Sequence, residues 1–319
     1  MNATNVSLKY RQTVLHSGHR SDLVKSNLQK SIRLGNTSEA QRCFAALVTP
    51  LDLPALDEKE QRIAKSLRTN VINRVIVCAA EDIGLGDLGR VKAVIDALQP
   101  MTKSGKRQEF DLERCLGAVA LLSESVKSRT TSHLFHVVQA CNSELAAENG
   151  FAVVRIRPES VPLCSLNTFQ AIGDKASEAT LWSRLQNTQE LDQPFLSSLY
   201  TAYQQQSEKR PFMQLALAYA HYALSIDPRY TEYFRQCLLE CPPFPSSEPS
   251  FLGHLRLNQT EITILDQAVD VHTFQGRQNH ATCREFREQG SVVYPEAELF
   301  HKPELMNVYI NSKYVKQKK

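Results

Sequence analysis

The stretch EKEQRIAKSLRTNVINRVIVCAAEDI, residues Glu58 to Ile83, decides the fold. Its first half sets Ile63 and Leu67 four apart among charged side chains, the spacing of one helix face. Its second half, Val71 to Ala80, is apolar nearly all round, so that part of the helix belongs in the interior. Asn70, Arg74 and Glu81 run down it as a polar line at helical spacing. A buried polar group needs a partner, so this line is expected to matter for structure or function.

Helical periods continue on both sides. Leu23, Val24, Leu28 and Ile32 form a stripe, with Lys25, Gln29, Lys30 and Arg33 outside it. Ser21 is placed to cap this helix and Gly35 to end it. Thr37 then opens a helix whose Ala40, Cys43, Phe44 and Leu47 share a face, and Pro50 and Pro54 close the antiparallel pair. Asp87 caps a helix carrying Val91, Val94, Ile95 and Leu98, and two further helices are expected over 111–123 and 131–141. In the second half, Phe195, Leu199, Tyr200 and Tyr203 share a face, while Pro211 and Asp227-Pro228 each start a helix. Ala152 to Arg157 reads as a short strand. The expected fold is therefore all-α, built of antiparallel helix pairs, with one short β element near 151–157. The expected organisation is a flexible basic arm (1–20), a helical domain (21–145), an irregular connection (146–195), a second helical domain (196–241), a Pro-rich linker (242–253) and a C-terminal segment with a basic tail (254–319).

The net charge of +3 neither demands nor excludes a polyanionic partner. Basic residues nevertheless cluster. Lys25, Lys30 and Arg33 lie in the first helix, Lys103, Lys106 and Arg107 in a loop, and Lys127 and Arg129 in a later turn. These are the candidate nucleic-acid contacts. The eight cysteines sit mostly in apolar helical contexts. With no signal-peptide pattern and no apolar run long enough for a membrane helix, a reducing intracellular compartment, cytoplasm or nucleus, is expected.

No catalytic motif stands out. Gly84-Leu-Gly-Asp-Leu-Gly89 matches G-x-G-x-x-G by letter, but it continues a helical pattern, and Glu81 and Asp82 put negative charge where a phosphate would bind. A tight turn between two helices fits it better. No G-x-x-x-x-G-K-[ST] loop is present, so no nucleotide chemistry is expected. Cys237 and Cys241, and His280 and Cys283, are close pairs without a second C-x-x-C, so no zinc and no cofactor are expected. His133 and His136 suit packing on an amphipathic helix. Residues Asp270 to Gly290 crowd His272, Arg277, Arg284, Glu285, Arg287 and Glu288 around Phe286. Such a segment is either a solvated helix with ion pairs or a recognition or interdomain element.

Three blocks carry a family likeness. Leu28-Gln-Lys-Ser-Ile-Arg33, then Asn73-Arg-Val-Ile-Val-Cys-Ala-Ala-Glu-Asp-Ile-Gly-Leu85, then His272-Thr273 with Gly276-Arg277 and Glu288-Gln-Gly290, together resemble the C-terminal helical region of the replication-associated recombination protein A family. That family comprises clamp-loader-like AAA+ ATPases of DNA replication and repair. Stand-alone proteins of this pattern occur in large DNA viruses and phages, where an element like Lys127-Ser128-Arg129 recurs. The likeness spans roughly 21–140 and 200–295. The ATPase module is absent, and Gln289 stands where the family often has an acid.

The resemblance implies a non-enzymatic accessory protein of DNA replication or repair that forms homo-oligomers or binds a replication partner. It implies neither ATP hydrolysis nor a membrane partner. The alternatives are a protein–protein scaffold that never touches DNA and an enzyme with an unrecognised site. A structural latch is also expected: Arg74, Glu81 and Asp82 on one side, His272, Arg277 and Glu288 on the other, with Glu81 or Asp82 pairing with Arg277 or His272. Arg277→Ala should then destabilise more than Arg287→Ala, whose charge is expected to be exposed.

Overall fold

Helix-forming periodicity dominates this chain, and its computed structural model follows that pattern. The described residues are 13–15, 17–48, 57–102, 109–133, 175–224, 227–240, 261–291 and 293. They are all-α, with no strand among them. The expected β element near 151–157 lies outside the described residues, as do Lys103, Lys106, Arg107, His136 and the basic tail.

Helices α1 (Ser21–Arg33) and α2 (Thr37–Val48) form the expected pair. Gly35 joins them at φ +75°, a left-handed conformation that costs glycine little. Ser21 proves to be the first helical residue, and no side chain caps α1. Val24, Leu28 and Ile32 are wholly buried, as are Ala40, Cys43, Phe44 and Leu47 of α2. Each large apolar side chain so buried stabilises by roughly 1.5–3 kcal/mol.

Helix α3 (Glu58–Cys78) starts at a reciprocal cap between Asp57 and Glu60 and runs into the core through Val71, Ile72, Val75 and Ile76. It then widens into a π-helical turn over Ala79–Ile83. A 3₁₀ turn, Gly84–Gly86, leads to α4 (Leu88–Leu98), capped by Asp87 as expected. The glycines here serve close packing. Gly84 has φ +51°, and a Cβ on Gly86 would lie 2.4 Å from the Val126 carbonyl oxygen. The chain at 126–128 passes directly over this turn, with the Ser128 amide donating to the Asp82 carbonyl at 3.1 Å.

Helix α5 (Leu112–Glu124) is buried over most of its length. Residues 130–133 are helical where a helix over 131–141 is expected, its remainder lying outside the described residues, and α6 (Lys175–Gln186) follows within the span expected to be irregular. Its Leu181, Trp182 and Leu185 are buried, a helical stripe that the surrounding polar residues disguise. Helices α7 (Gln193–Gln205), α8 (Arg210–Ala223) and α9 (Pro228–Leu239) follow. A single hydrophobic cluster draws side chains from α1 through α9 and reaches Ile262. The two helical segments separated in the sequence reading therefore share one core.

Candidate functional site: a polar cleft between the first helix and residues 270–286

Helix α1 has two working faces. Its apolar stripe enters the core, while Asp22, Lys25, Ser26, Gln29, Lys30 and Arg33 recur at spacings of three and four along the other side. That second stripe forms one wall of a cleft of about 670 Å³. Arg74, Glu81, Arg129 and Ser132 also line it, as do residues 207–211 and Gln214 at the start of α8. The C-terminal segment closes it with Asp270 to Thr273, Arg277 and Phe286.

The central group is Asp82, wholly buried in the π-turn after α3. Arg33 donates from Nε to its Oδ1 at 2.8 Å, and Arg129 donates from Nη1 to the same oxygen. Burial alone would raise the Asp82 pKa, but the two guanidiniums outweigh it and hold the carboxyl below its ordinary value. Arg33 also donates from Nη1 to the carbonyl of Gly290, the last residue of a second π-turn over Phe286–Gly290. One side chain thus joins two π-turns that lie far apart in the sequence.

The C-terminal segment is fastened to α1 at further points. Lys30 forms a buried ion pair with Asp270, and Ser26 donates to the same carboxylate at 3.3 Å. The Phe274 amide donates to Asp22 at 2.8 Å. Asn27 donates to the Thr263 carbonyl at 3.0 Å and accepts from the Leu265 amide at 2.9 Å. Burial lowers the Lys30 pKa to about 8 against the pull of Asp270. Burial would raise Asp270, but hydrogen bonds from His272 and the Lys30 charge bring it below its ordinary range.

The expected latch forms with different partners. Arg277 is exposed and donates to the His272 carbonyl at 3.3 Å, forming no ion pair with Glu81 or Asp82. His272 lies 3.3 Å from Asp270, and Glu288 pairs with Arg284 on its own turn. Glu81 accepts from Gln29 at 3.4 Å, and burial pushes its carboxyl pKa upward. Arg74 pairs with Glu208 at 2.7 Å, and Asn70 is exposed and accepts from Lys25. The polar line on α3 is therefore not sealed in the core. The correction has a physical cause: Arg33 and Arg129 reach Asp82 first and occupy the charge that Arg277 was expected to meet.

The proposed nucleic-acid residues need the same correction. Lys30, Arg33, Lys127 and Arg129 are all at least 95% buried and engaged within the protein. Lys127 donates to the carbonyls of Leu122, Ser123 and Ser125 at 2.6–2.9 Å, so it caps the C-terminus of α5. Burial lowers its pKa to about 8. Of the described members of that set, Lys25 alone keeps partial exposure. Lys30 and Arg33 read as a solvated face because the residues that cover them, Asp270 and Gly290, lie more than 200 positions further along the chain.

Among the described residues, no group of three or more His, Cys, Asp or Glu could hold a metal ion. Cys43, Cys78, Cys115, Cys237 and Cys283 carry free thiols. No helix among the described residues is long and apolar enough to cross a membrane. No family model matches the chain, and no curated protein or solved structure matches it either.

Proposed function

We propose that this chain is a non-enzymatic accessory protein of DNA replication or repair, acting through its helical body on a partner protein or on further copies of itself. One observation supports the reading. The three blocks that carry the family likeness meet around Arg33: its own helix, the Asp82 turn and the Gly290 turn. The Arg129 element adds a fourth contact. Residues shared for such an internal junction mark a common structural unit, which is what a likeness confined to the helical region of an ATPase implies. Contact with nucleic acid would use the partly exposed Lys25 and the exposed Lys209, Arg210 and Arg277 of the cleft, together with the basic segment 103–107. Fluorescence anisotropy with labelled single-stranded and duplex DNA, titrated across salt, tests it. Binding should be weak, tolerant of sequence and steeply salt-dependent, because phosphate contacts release counterions. No binding at low salt would remove DNA from the reading.

The scaffold alternative, without nucleic acid, draws on one specific observation. Four of the basic residues first assigned to DNA are consumed inside the protein. Capture of a replication protein by a chain that does not bind DNA would favour it.

A further inference from the structure

The cleft is lined by two buried polar side chains that the fold leaves unused. Gln214, in the second turn of α8, lines it and is 7% exposed. Ser132, three residues after Arg129, lines it and is 8% exposed. Neither side chain makes a hydrogen bond among the described residues. Their polar atoms are not sealed inside the protein either, so the little exposure each keeps opens on the cleft. Every other buried polar side chain of the lining is bonded within the protein, Lys30 to Asp270 and Arg33 with Arg129 to Asp82 among them. Burying an amide or a hydroxyl without a partner is unfavourable, so two such groups facing one cavity point to a ligand that bonds to them.

A ring on the wall supplied by the C-terminal segment narrows the choice of ligand. Phe286 is half-buried and is the one phenyl group lining the cleft. His272 meets it edge to face, with centroids 4.6 Å apart, and the Lys30 ammonium lies 5.3 Å from its centroid. These two contacts fix the ring, and its remaining surface opens on the cleft. Apolar lining is otherwise confined to Pro211 and Val271, too little to anchor a lipid or an apolar side chain. The lining therefore suits a flat ligand with a polar edge.

We infer that this cleft binds a nucleoside or nucleotide unit, with the polar edge of its base toward Gln214 and Ser132 and its flat face toward Phe286. A glutamine amide offers a donor and an acceptor side by side, the pattern that matches the N6 and N7 edge of adenine, and a serine hydroxyl serves as either. An aromatic side chain stacks on any base. The volume of about 670 Å³ lies within the range of small-molecule sites. A free nucleotide and an unpaired nucleotide of a single strand present the same chemistry here. The site is independent of the DNA reading, which draws on exposed cations and not on these neutral groups.

Isothermal titration of the full chain with the 5′-monophosphates of adenosine, guanosine, cytidine and uridine tests the inference, with ribose 5-phosphate as the control that lacks a base. At least one nucleotide should bind saturably, one per chain, and about tenfold or more tighter than ribose 5-phosphate. Gln214→Leu keeps the side-chain bulk and removes the amide. It should weaken that nucleotide about tenfold while Tm stays level or rises, because the amide has no bond within the protein to lose. Ser132→Ala should weaken it several-fold, and Arg235→Ala on the exposed face of α9 should leave it unchanged. Absence of saturable binding, ribose 5-phosphate binding as tightly as every nucleotide, or a Gln214→Leu chain that binds like the parent would overturn the site. A Tm lowered by several degrees in Gln214→Leu would do the same, by giving the amide a structural role. Displacement of the nucleotide by a short single-stranded oligonucleotide would assign the cleft to a base within a strand, and binding without displacement would assign it to the free nucleotide; both support the site. Nucleotide binding without DNA binding would keep this inference and discard the DNA reading. DNA binding without nucleotide binding would do the reverse.

Discussion

The Arg33 guanidinium donates to Asp82 at 2.8 Å and, through its other arm, to the carbonyl of Gly290, so a single side chain of the first helix ties the π-turn after α3 to the π-turn over Phe286–Gly290. Removing it strands a buried carboxylate beside Arg129 alone. Arg33→Ala is expected to cost about 3–5 kcal/mol, the usual penalty for breaking a buried ion pair from one side. Chemical denaturation followed by circular dichroism measures this. Arg33→Lys should recover only part of the loss, because an ammonium cannot span both acceptors with a planar fork.

Stability toward acid follows from Asp82 and Asp270. Both carboxyls are held below their ordinary pKa by the cations beside them. A depressed folded pKa contributes stability that is complete above the unfolded value, near 4, and is lost as pH falls through the folded value. Tm should therefore hold from neutral pH down to about pH 4 and fall below it, with a shallower fall in Asp270→Asn. Lys30 and Lys127 have the opposite sign. With pKa lowered to about 8, the folded form sheds their protons first, so their contribution rises between about pH 8 and 10.5. An alkaline loss of stability over that window traced to Lys30 would contradict the assignment.

The C-terminal arginines provide a direct comparison. Arg287 is 5% exposed, whereas Arg277 is exposed and bonds to one carbonyl. Arg287→Ala should lower Tm by several degrees, and Arg277→Ala should leave it nearly unchanged. This order reverses the one expected from sequence, and thermal melts of the two variants decide it.

Trp182 is the chain's one tryptophan and is 2% exposed, with its ring 5.0 Å from Tyr200 and 5.5 Å from Tyr203. It belongs to the same cluster as the buried side chains of α1 to α5. Its fluorescence should change in the same denaturant transition as the far-ultraviolet helix signal. Two separated transitions would show that the halves of the chain unfold independently. Trp182→Ala should cost about 3–5 kcal/mol, as large core truncations do.

Local pattern explains why the helices were legible. Asp87 before an apolar run, Pro211 and Asp227-Pro228 mark starts by chemistry confined to a few residues. Gly84 and Gly86 read as a tight turn for the same reason, and their close approach to 126–128 agrees. The cleft was not legible in that way. Its α1 wall, Lys25 to Arg33, has the period of a solvent face, and only the docking of Asp270 and Gly290 turns it into an interior wall. Charge complementarity at that separation has no spacing rule. The latch was assigned to the right two regions but to the wrong side chains, because Arg277 and Arg33 are equally plausible partners for Asp82 until distances are known. Helix α6 was missed since its apolar stripe is short and set among polar residues.

The cleft exists only because the C-terminal segment is held against α1. Hydrogen–deuterium exchange on the full chain tests it most directly. Amides of 263–277 and 286–291 should be protected well beyond peptide rates. In Lys30→Ala/Arg33→Ala they should lose protection while the α7 and α8 core amides keep theirs. If the segment exchanges at unstructured rates in the parent chain, the docking, and the cleft with it, is contradicted.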